Sequence, residues 1–244
     1  MNTKKVALIT GANKGIGFET ARQLGQQNIT ILVGARDGKR GSQAVATLQA
    51  EGVDAHFVHV DMNDATTFVS AEQFVAEKFG RLDILINNAG ILLDPYQSVT
   101  TLSVDNWRKT FETNVFALIE LTHTLLPLIK KSPAGRIVNL SSILGSLTLN
   151  RDPHSPIAAA AGMNTHYNAS KAALNMYTIH LAHALKDTNI KVNAAHPGWV
   201  KTDMGGEGAP MELVDGAKTS VALATLGADG PTGAHIHLGE SLPW

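Results

Sequence analysis

Short apolar, β-branched runs at 6–10, 30–34, 55–60, 84–87, 136–140 and 191–196 recur along the chain with helix-length stretches between them. Runs that are apolar throughout, rather than alternating, suit strands covered on both faces, and crossover helices on a parallel sheet supply that cover. The helical stretches fall at 16–26, 39–51, 65–79, 104–131, 168–186 and 212–226, and a seventh strand is expected at 235–238. This spacing predicts an α/β fold: a doubly wound parallel sheet of about seven strands with helices on both faces. A length of 244 residues suits one domain, because single hydrophobic cores stop growing only near roughly 250–300 residues. Residues 1–244 are therefore expected to form a single domain. The exception to the periodicity is 147–166, where Asp152-Pro153, Ser155-Pro156 and the tract 158–162 predict an inserted loop.

Charge and composition exclude several classes of function. A formal net charge of −1 offers no general attraction for nucleic acid or an anionic membrane surface. There is no cysteine, so disulfides, thiolate metal sites and a cysteine nucleophile are ruled out. Residues 1–5 are basic and 6–9 apolar, but 10–15 interrupt the pattern too early for a signal peptide, and no run reaches the about 20 apolar residues of a membrane helix. The cytoplasm is the expected compartment. His235 and His237 share one face of a strand at a spacing two metal ligands can use, yet no third ligand is evident, so no metal is expected. His154 and His166, in or beside the insertion, have no necessary role, although His166 is close enough in sequence to reach a substrate.

The first strand runs into Gly11, Gly15 and Gly17 and then a helix. Glycines at a strand-to-helix turn allow a tight bend, and the helix N-terminus offers unpaired N–H groups and a favourable dipole to a pyrophosphate. At the end of the second strand, Ala35 stands where an acid would hold the ribose 2′-hydroxyl of NAD. Arg36 and Lys14 instead suit a 2′-phosphate through charge-assisted hydrogen bonds, which favours NADPH over NADH. Asp37 is the objection: a two-residue shift makes it the ribose acid, whereas its alternative role is to cap the next helix. Asp61, after the third strand, suits either the adenine amino group or a cap on the helix from 65.

The motifs Thr10-Gly-Ala-Asn-Lys-Gly-Ile-Gly17, Asn87-Asn-Ala-Gly90, Asn114, Ser141-Ser142, Tyr167-Asn-Ala-Ser-Lys171 and Pro197-Gly198 occur in that order. Together they resemble the short-chain dehydrogenase/reductases, a family with a Rossmann-type sheet. Ala35-Arg36-Asp37, Ser141-Ser-Ile143 and Pro197-Gly-Trp-Val-Lys-Thr-Asp-Met204 are similar to its carbonyl reductase branch, which uses NADPH on ketones, aldehydes and quinones. The resemblance implies an NADPH/NADP site built from Gly11, Asn13, Lys14, Gly15, Ile16, Gly17, Arg36, Asp61, Met62, Asn88, Ala89, Gly90, Pro197, Gly198, Val200 and Thr202, with Tyr167 and Lys171. In particular it implies that the Val200 backbone fixes the nicotinamide carboxamide. Ser142 and Tyr167 stand 25 positions apart, wider than the family's usual interval, which the insertion accounts for; carbonyl reductases carry insertions at the same place.

Tyr167 and Lys171 are four apart on a predicted helix and share one face. An ammonium near a phenol is expected to favour the phenolate and lower its pKa, giving a general acid poised closer to working pH. Tyr167 would donate a proton to the developing alkoxide while a serine holds that oxygen. Spacing alone does not choose between Ser141 and Ser142; the resemblance selects Ser142. It also implies that Lys171 binds the nicotinamide ribose and that Asn114 holds a water linking Lys171 to solvent. Ile143, Leu144, Trp199 and Met204 are expected to wall an apolar substrate pocket, although each also suits the core. The expected function is reduction of a small-molecule carbonyl by hydride transfer from NADPH. An NAD-dependent alcohol dehydrogenase and a non-catalytic NADPH-binding sensor are the alternatives, and the oligomeric state, monomer or homo-oligomer, stays open.

Overall fold

The computed structural model describes residues 4–95, 97–160 and 162–244. Residues 1–3 of the basic N-terminal stretch and Ala161 of the predicted insertion lie outside them. Seven strands run parallel in the order β3-β2-β1-β4-β5-β6-β7: β1 (Val6–Thr10), β2 (Thr30–Ala35), β3 (Ala55–His59), β4 (Ile84–Asn87), β5 (Arg136–Leu140), β6 (Lys191–Ala195) and β7 (His235–His237). An eighth, β8 (Glu240–Ser241), returns antiparallel to β7 through Leu238 and Gly239, both at positive φ. Two residues are too few to carry an alternating pattern, so this edge strand left no trace in the periodicity.

The central strands β1, β2 and β4 are buried on both faces because both are covered. Along β1, Val6 and Leu8 point into one core with Phe68, Leu121 and Leu174, while Ala7 and Ile9 point into the other with Leu24, Leu48 and Val221. The helices α1 (Gly15–Gly25), α2 (Gly38–Ala50) and α8 (Leu213–Ala224) pack on the second face, and α3 (Thr66–Phe79), α5 (Ala117–Ile129) and α7 (Thr165–Ala184) on the first. The strand order reverses beside β1, so a crevice opens past the C-terminal ends of β1 and β4, where an open α/β sheet takes its ligands.

Two elements differ from the sequence reading. The helix expected over 104–131 is broken: α4 (Val104–Phe111) leads into a π-helical turn, Glu112–Phe116, before α5 begins. The 147–166 stretch is not wholly irregular. It holds the short helix α6 (Leu147–Arg151), capped by the Ser146 hydroxyl on the Leu149 N–H, and a 3₁₀ turn, Ala158–Ala160. One and a half helical turns are too short to show a 3.6-residue period.

Candidate active site

The glycine turn has the geometry its composition predicts. Gly11 and Gly15 sit at φ +66° and +60°, and a Cβ on Gly17 would lie 2.5 Å from Asn88 Nδ2 and 2.8 Å from the Gly11 carbonyl. Lys14, the N-cap of α1, is extended and its side chain makes no cap, so the leading N–H groups of the helix face the crevice without a side-chain acceptor. Thr10 ties this turn to β4: its hydroxyl accepts from the Asn88 and Ala89 N–H groups at 3.0 and 2.9 Å, and its carbonyl accepts from Asn88 Nδ2 at 2.8 Å.

Arg36 is exposed just past β2. Asp37 is occupied as the N-cap of α2, accepting from the Arg40 N–H at 3.0 Å. The capping role holds for Asp37, and its backbone bond lowers its pKa below the ordinary carboxylate value. The Asp61 carboxylate accepts from Asn63, whereas Asp64, not Asp61, bonds the Thr66 N–H at the start of α3. Met62 beside it is buried. These residues fit a dinucleotide carrying a 2′-phosphate: a glycine cradle closed to any side chain at Gly17, a helix N-terminus, an exposed arginine at position 36, and Asp37 engaged with the Arg40 N–H.

The two adjacent serines divide. Ser141 donates to Asn175 Oδ1 on α7 at 2.5 Å and is buried there. Ser142 begins a 3₁₀ turn, Ile143–Gly145, where its hydroxyl accepts from the Leu144 N–H at 3.2 Å, and it lies near enough to the Tyr167 hydroxyl to act on the phenol's pKa. Strand alternation puts neighbouring side chains on opposite sides, which is why two identical residues acquire different partners. A Cβ on Gly145 would meet the backbone of Lys171 at 2.7 Å, so glycine is what lets the serine turn lie against α7.

Lys171 Nζ stands 5.5 Å from the centroid of the Tyr167 ring and donates to the Leu140 carbonyl at 2.7 Å. Burial lowers Lys171 to about 8 and raises Tyr167 to about 12, the latter opposed by the nearby Ser142 hydroxyl. The expected lowering of the phenol pKa is therefore not what the geometry gives. The ammonium lies over the face of the ring and is held by a backbone carbonyl, and desolvation outweighs its pull on the phenol oxygen. A phenol with a raised pKa is fully protonated at neutral pH, the form that donates.

Asn114 sits in the π turn, fully buried. Its Oδ1 accepts from the Ile91 N–H at 2.8 Å, and its Nδ2 donates to the Ile91 carbonyl and to Ser170 Oγ at 2.9 and 3.1 Å. A Cβ on Gly90 would lie 3.4 Å from Asn114 Oδ1 and 3.6 Å from Lys171 Nζ, so Gly90, Asn114 and Lys171 meet at one point. The extra residue of a π turn redirects side chains locally, and here it aims Asn114 inward.

On the far side of the crevice, Met211 pairs with Trp199 and Lys201, which leaves the N–H and C=O of buried Val200 turned the other way; Thr202 Oγ1 reaches the Val200 carbonyl at 3.3 Å. Ile143 and Leu144 are half-buried beside Ser142. Trp199 and Met204 are exposed, with the Trp199 indole bonded to the Gly205 carbonyl at 2.8 Å. His166 is buried edge-on to Trp107, and His154 is exposed. His235 stacks on Trp244 and His237 lies tilted against His196; among the described residues no group of three His, Cys, Asp or Glu is placed to hold a metal ion.

A family model described as short chain dehydrogenase matches residues 5–212. The chain belongs to the short-chain dehydrogenase family. Short-chain dehydrogenase anuI of Penicillium roqueforti is 38% identical over 93% of this chain and 90% of its own length. Carbonyl reductase [NADPH] 1 of Mus musculus is 33% identical over 100% of this chain and 99% of its own. Among solved structures, the NADPH-bound carbonyl reductase from chicken fatty liver matches with a TM-score of 0.86 and 28% identity over 99% of both chains. Within this short-chain dehydrogenase, residues the sequence reading passed over are Asn175, Thr178 and Ser170. Asn175 and Thr178 continue the Lys171 face of α7 at helical spacing, and polar side chains on a buried helix face were the available signal.

Proposed function

We propose that this chain is an NADPH-dependent oxidoreductase that reduces a carbonyl of a small ketone, aldehyde or quinone to the alcohol. The observation that carries the reading is Lys171 over the Tyr167 ring, with the Ser142 turn packed against the same stretch of α7 through Gly145. When bound, the reduced nicotinamide supplies the hydride. Gly11, Asn13, Gly15, Ile16 and Gly17 would hold its pyrophosphate, Lys14 and Arg36 its 2′-phosphate, and Asp61 and Met62 its adenine. Asn88, Ala89, Gly90 and Lys171 would hold the ribose near the reacting carbon, and Pro197, Gly198, Val200 and Thr202 the carboxamide.

The protein's own part is to place a proton and two donors where negative charge grows. Tyr167 gives its hydroxyl proton to the substrate oxygen, and Ser142 donates a hydrogen bond to the same oxygen, strengthened as charge develops. Lys171, beside Gly90 and Asn114, sits on the route by which Tyr167 regains its proton. Ile143 and Leu144 supply the apolar wall nearest the serine, with Trp199 and Met204 on the facing loop. Relatives named as NADPH carbonyl reductases support the cofactor and the direction of reaction. The engagement of Asp37 in capping α2 disfavours the NAD-dependent alternative, in which that carboxylate would be needed by the 2′-hydroxyl.

The test is NADPH absorbance followed against a panel of ketones, aldehydes and quinones, with Tyr167→Phe alongside. Turnover of at least one member by the native chain and a loss of about 10²–10⁴ in the variant are expected. Tight NADPH binding without oxidation by any member would replace this reading with the sensor.

A further inference from the structure

The glycine turn and the loop after β6 are joined by one contact across the crevice. Lys14 Nζ donates to Asp203 Oδ2 at 2.5 Å, between residues 189 positions apart. A Cβ on neighbouring Gly15 would lie 3.9 Å from Thr202 Cγ2, so the two segments approach each other along a short front. The pair is exposed, at 61% and 82% of the side-chain surface. Arg40, on the first turn of α2 and therefore on the 2′-phosphate side, also acts on the Asp203 carboxylate and helps hold its pKa below the ordinary value, after Lys14. Asp203 thus reaches toward the cations, Lys14 and Arg40, that flank the place assigned to the 2′-phosphate.

We infer that Asp203 is a specificity-determining residue for the cofactor, a counterion that competes with the 2′-phosphate for Lys14. The inference rests on the proposed NADPH site. A carboxylate and a phosphate dianion cannot both neutralise one ammonium without repelling each other, so NADPH binding displaces or strains the Lys14–Asp203 pair. NADH has only a hydroxyl there and leaves the pair made. Asp203 therefore weakens NADPH binding selectively and narrows the preference that Lys14 and Arg36 create. An exposed pair is weak and salt-screened, so the effect is a few-fold and largest at low ionic strength.

The experiment is equilibrium binding of NADPH and of NADH, read by nicotinamide fluorescence, for the native chain, Asp203→Asn, Lys14→Met and the double variant. Asp203→Asn removes the charge and keeps the shape. Expected is about three- to fivefold tighter NADPH binding at low salt with NADH within twofold of native, and no such gain in the Lys14→Met background. Equal weakening of both dinucleotides in Asp203→Asn would make the contact a strap that holds the cleft closed and would overturn the inference, as would no change in either. If the native chain binds neither dinucleotide, the site reading itself fails, and this inference with it.

Discussion

Ser141 and Ser142 are consecutive in the chain, and their hydroxyls serve different elements: Ser141 donates to Asn175 on α7 at 2.5 Å, and Ser142 caps its own turn at the Leu144 N–H on the side where it acts on Tyr167. Ser142→Ala is expected to lower kcat/KM for carbonyl reduction by about 10²–10³, because a donor to the developing alkoxide is lost, while thermal stability changes little. Ser141→Ala is expected to do the reverse. It strands a buried amide oxygen, which costs about 1–3 kcal/mol, and leaves turnover within a few-fold of native. Melting temperatures and steady-state kinetics on the two variants separate the roles; equal kinetic damage in both would contradict the assignment.

The central strands were legible because they are buried on both faces, and the glycine turn because Gly11 and Gly15 need positive φ. The break between α4 and α5 was not legible. A π turn adds one residue without altering composition, and its reward, Asn114 turned onto Ile91 and Ser170, is a set of tertiary bonds. The phenol's pKa was not legible for a related reason. Spacing places Lys171 on the same helix face as Tyr167 but does not say that the ammonium will be held by the Leu140 carbonyl, over the ring. Asp203 was invisible as a partner of Lys14 because the contact joins segments 189 positions apart.

Arg36 stands exposed past β2 with no carboxylate assigned to the ribose, so Arg36→Asp should exchange the cofactor preference. Losing a charge-assisted contact and adding repulsion to the 2′-phosphate is expected to weaken NADPH binding by about 10- to 100-fold, on the scale of 1.5–3 kcal/mol for a bond to a charged group. NADH binding should hold or improve. Titration of both dinucleotides against native and variant checks this, and an unchanged NADPH affinity would remove Arg36 from the site.

Lys171 is buried, and its pKa falls from 10.5 to about 8. A depressed lysine pKa means the folded state binds the proton less well than the unfolded chain. The cost is fully present below about 8 and is relieved as pH rises from about 8 to 10.5, so stability attributable to this residue increases across that window. Lys171→Met should therefore be more stable than native at pH 7 by about 1–3 kcal/mol, partly offset by the unpaired Leu140 carbonyl, while losing activity. Denaturant melts at pH 7 and pH 10 should show the gap between native and variant closing. A gap that widens with pH would reverse the argument.

His196 and His235 lie at the C-terminal edge of the sheet, buried, with His196 against His237 and His235 stacked on Trp244. Burial first, then neighbouring imidazoles, lowers His196 to about 3, and burial lowers His235 to about 4. Between 6.5 and these values the unfolded chain takes up protons that the folded chain does not, so stability is lost as pH falls below 6.5. Each histidine contributes a slope of up to about 1.4 kcal/mol per pH unit. His235→Phe keeps a ring on Trp244 and removes one titration. Its stability should fall less steeply than native between pH 6 and 4.5, by about one bound proton, as read from denaturant midpoints at matched m-values. Parallel pH profiles for native and variant would show that His235 is protonated in the folded state over this range and that the burial argument fails for it.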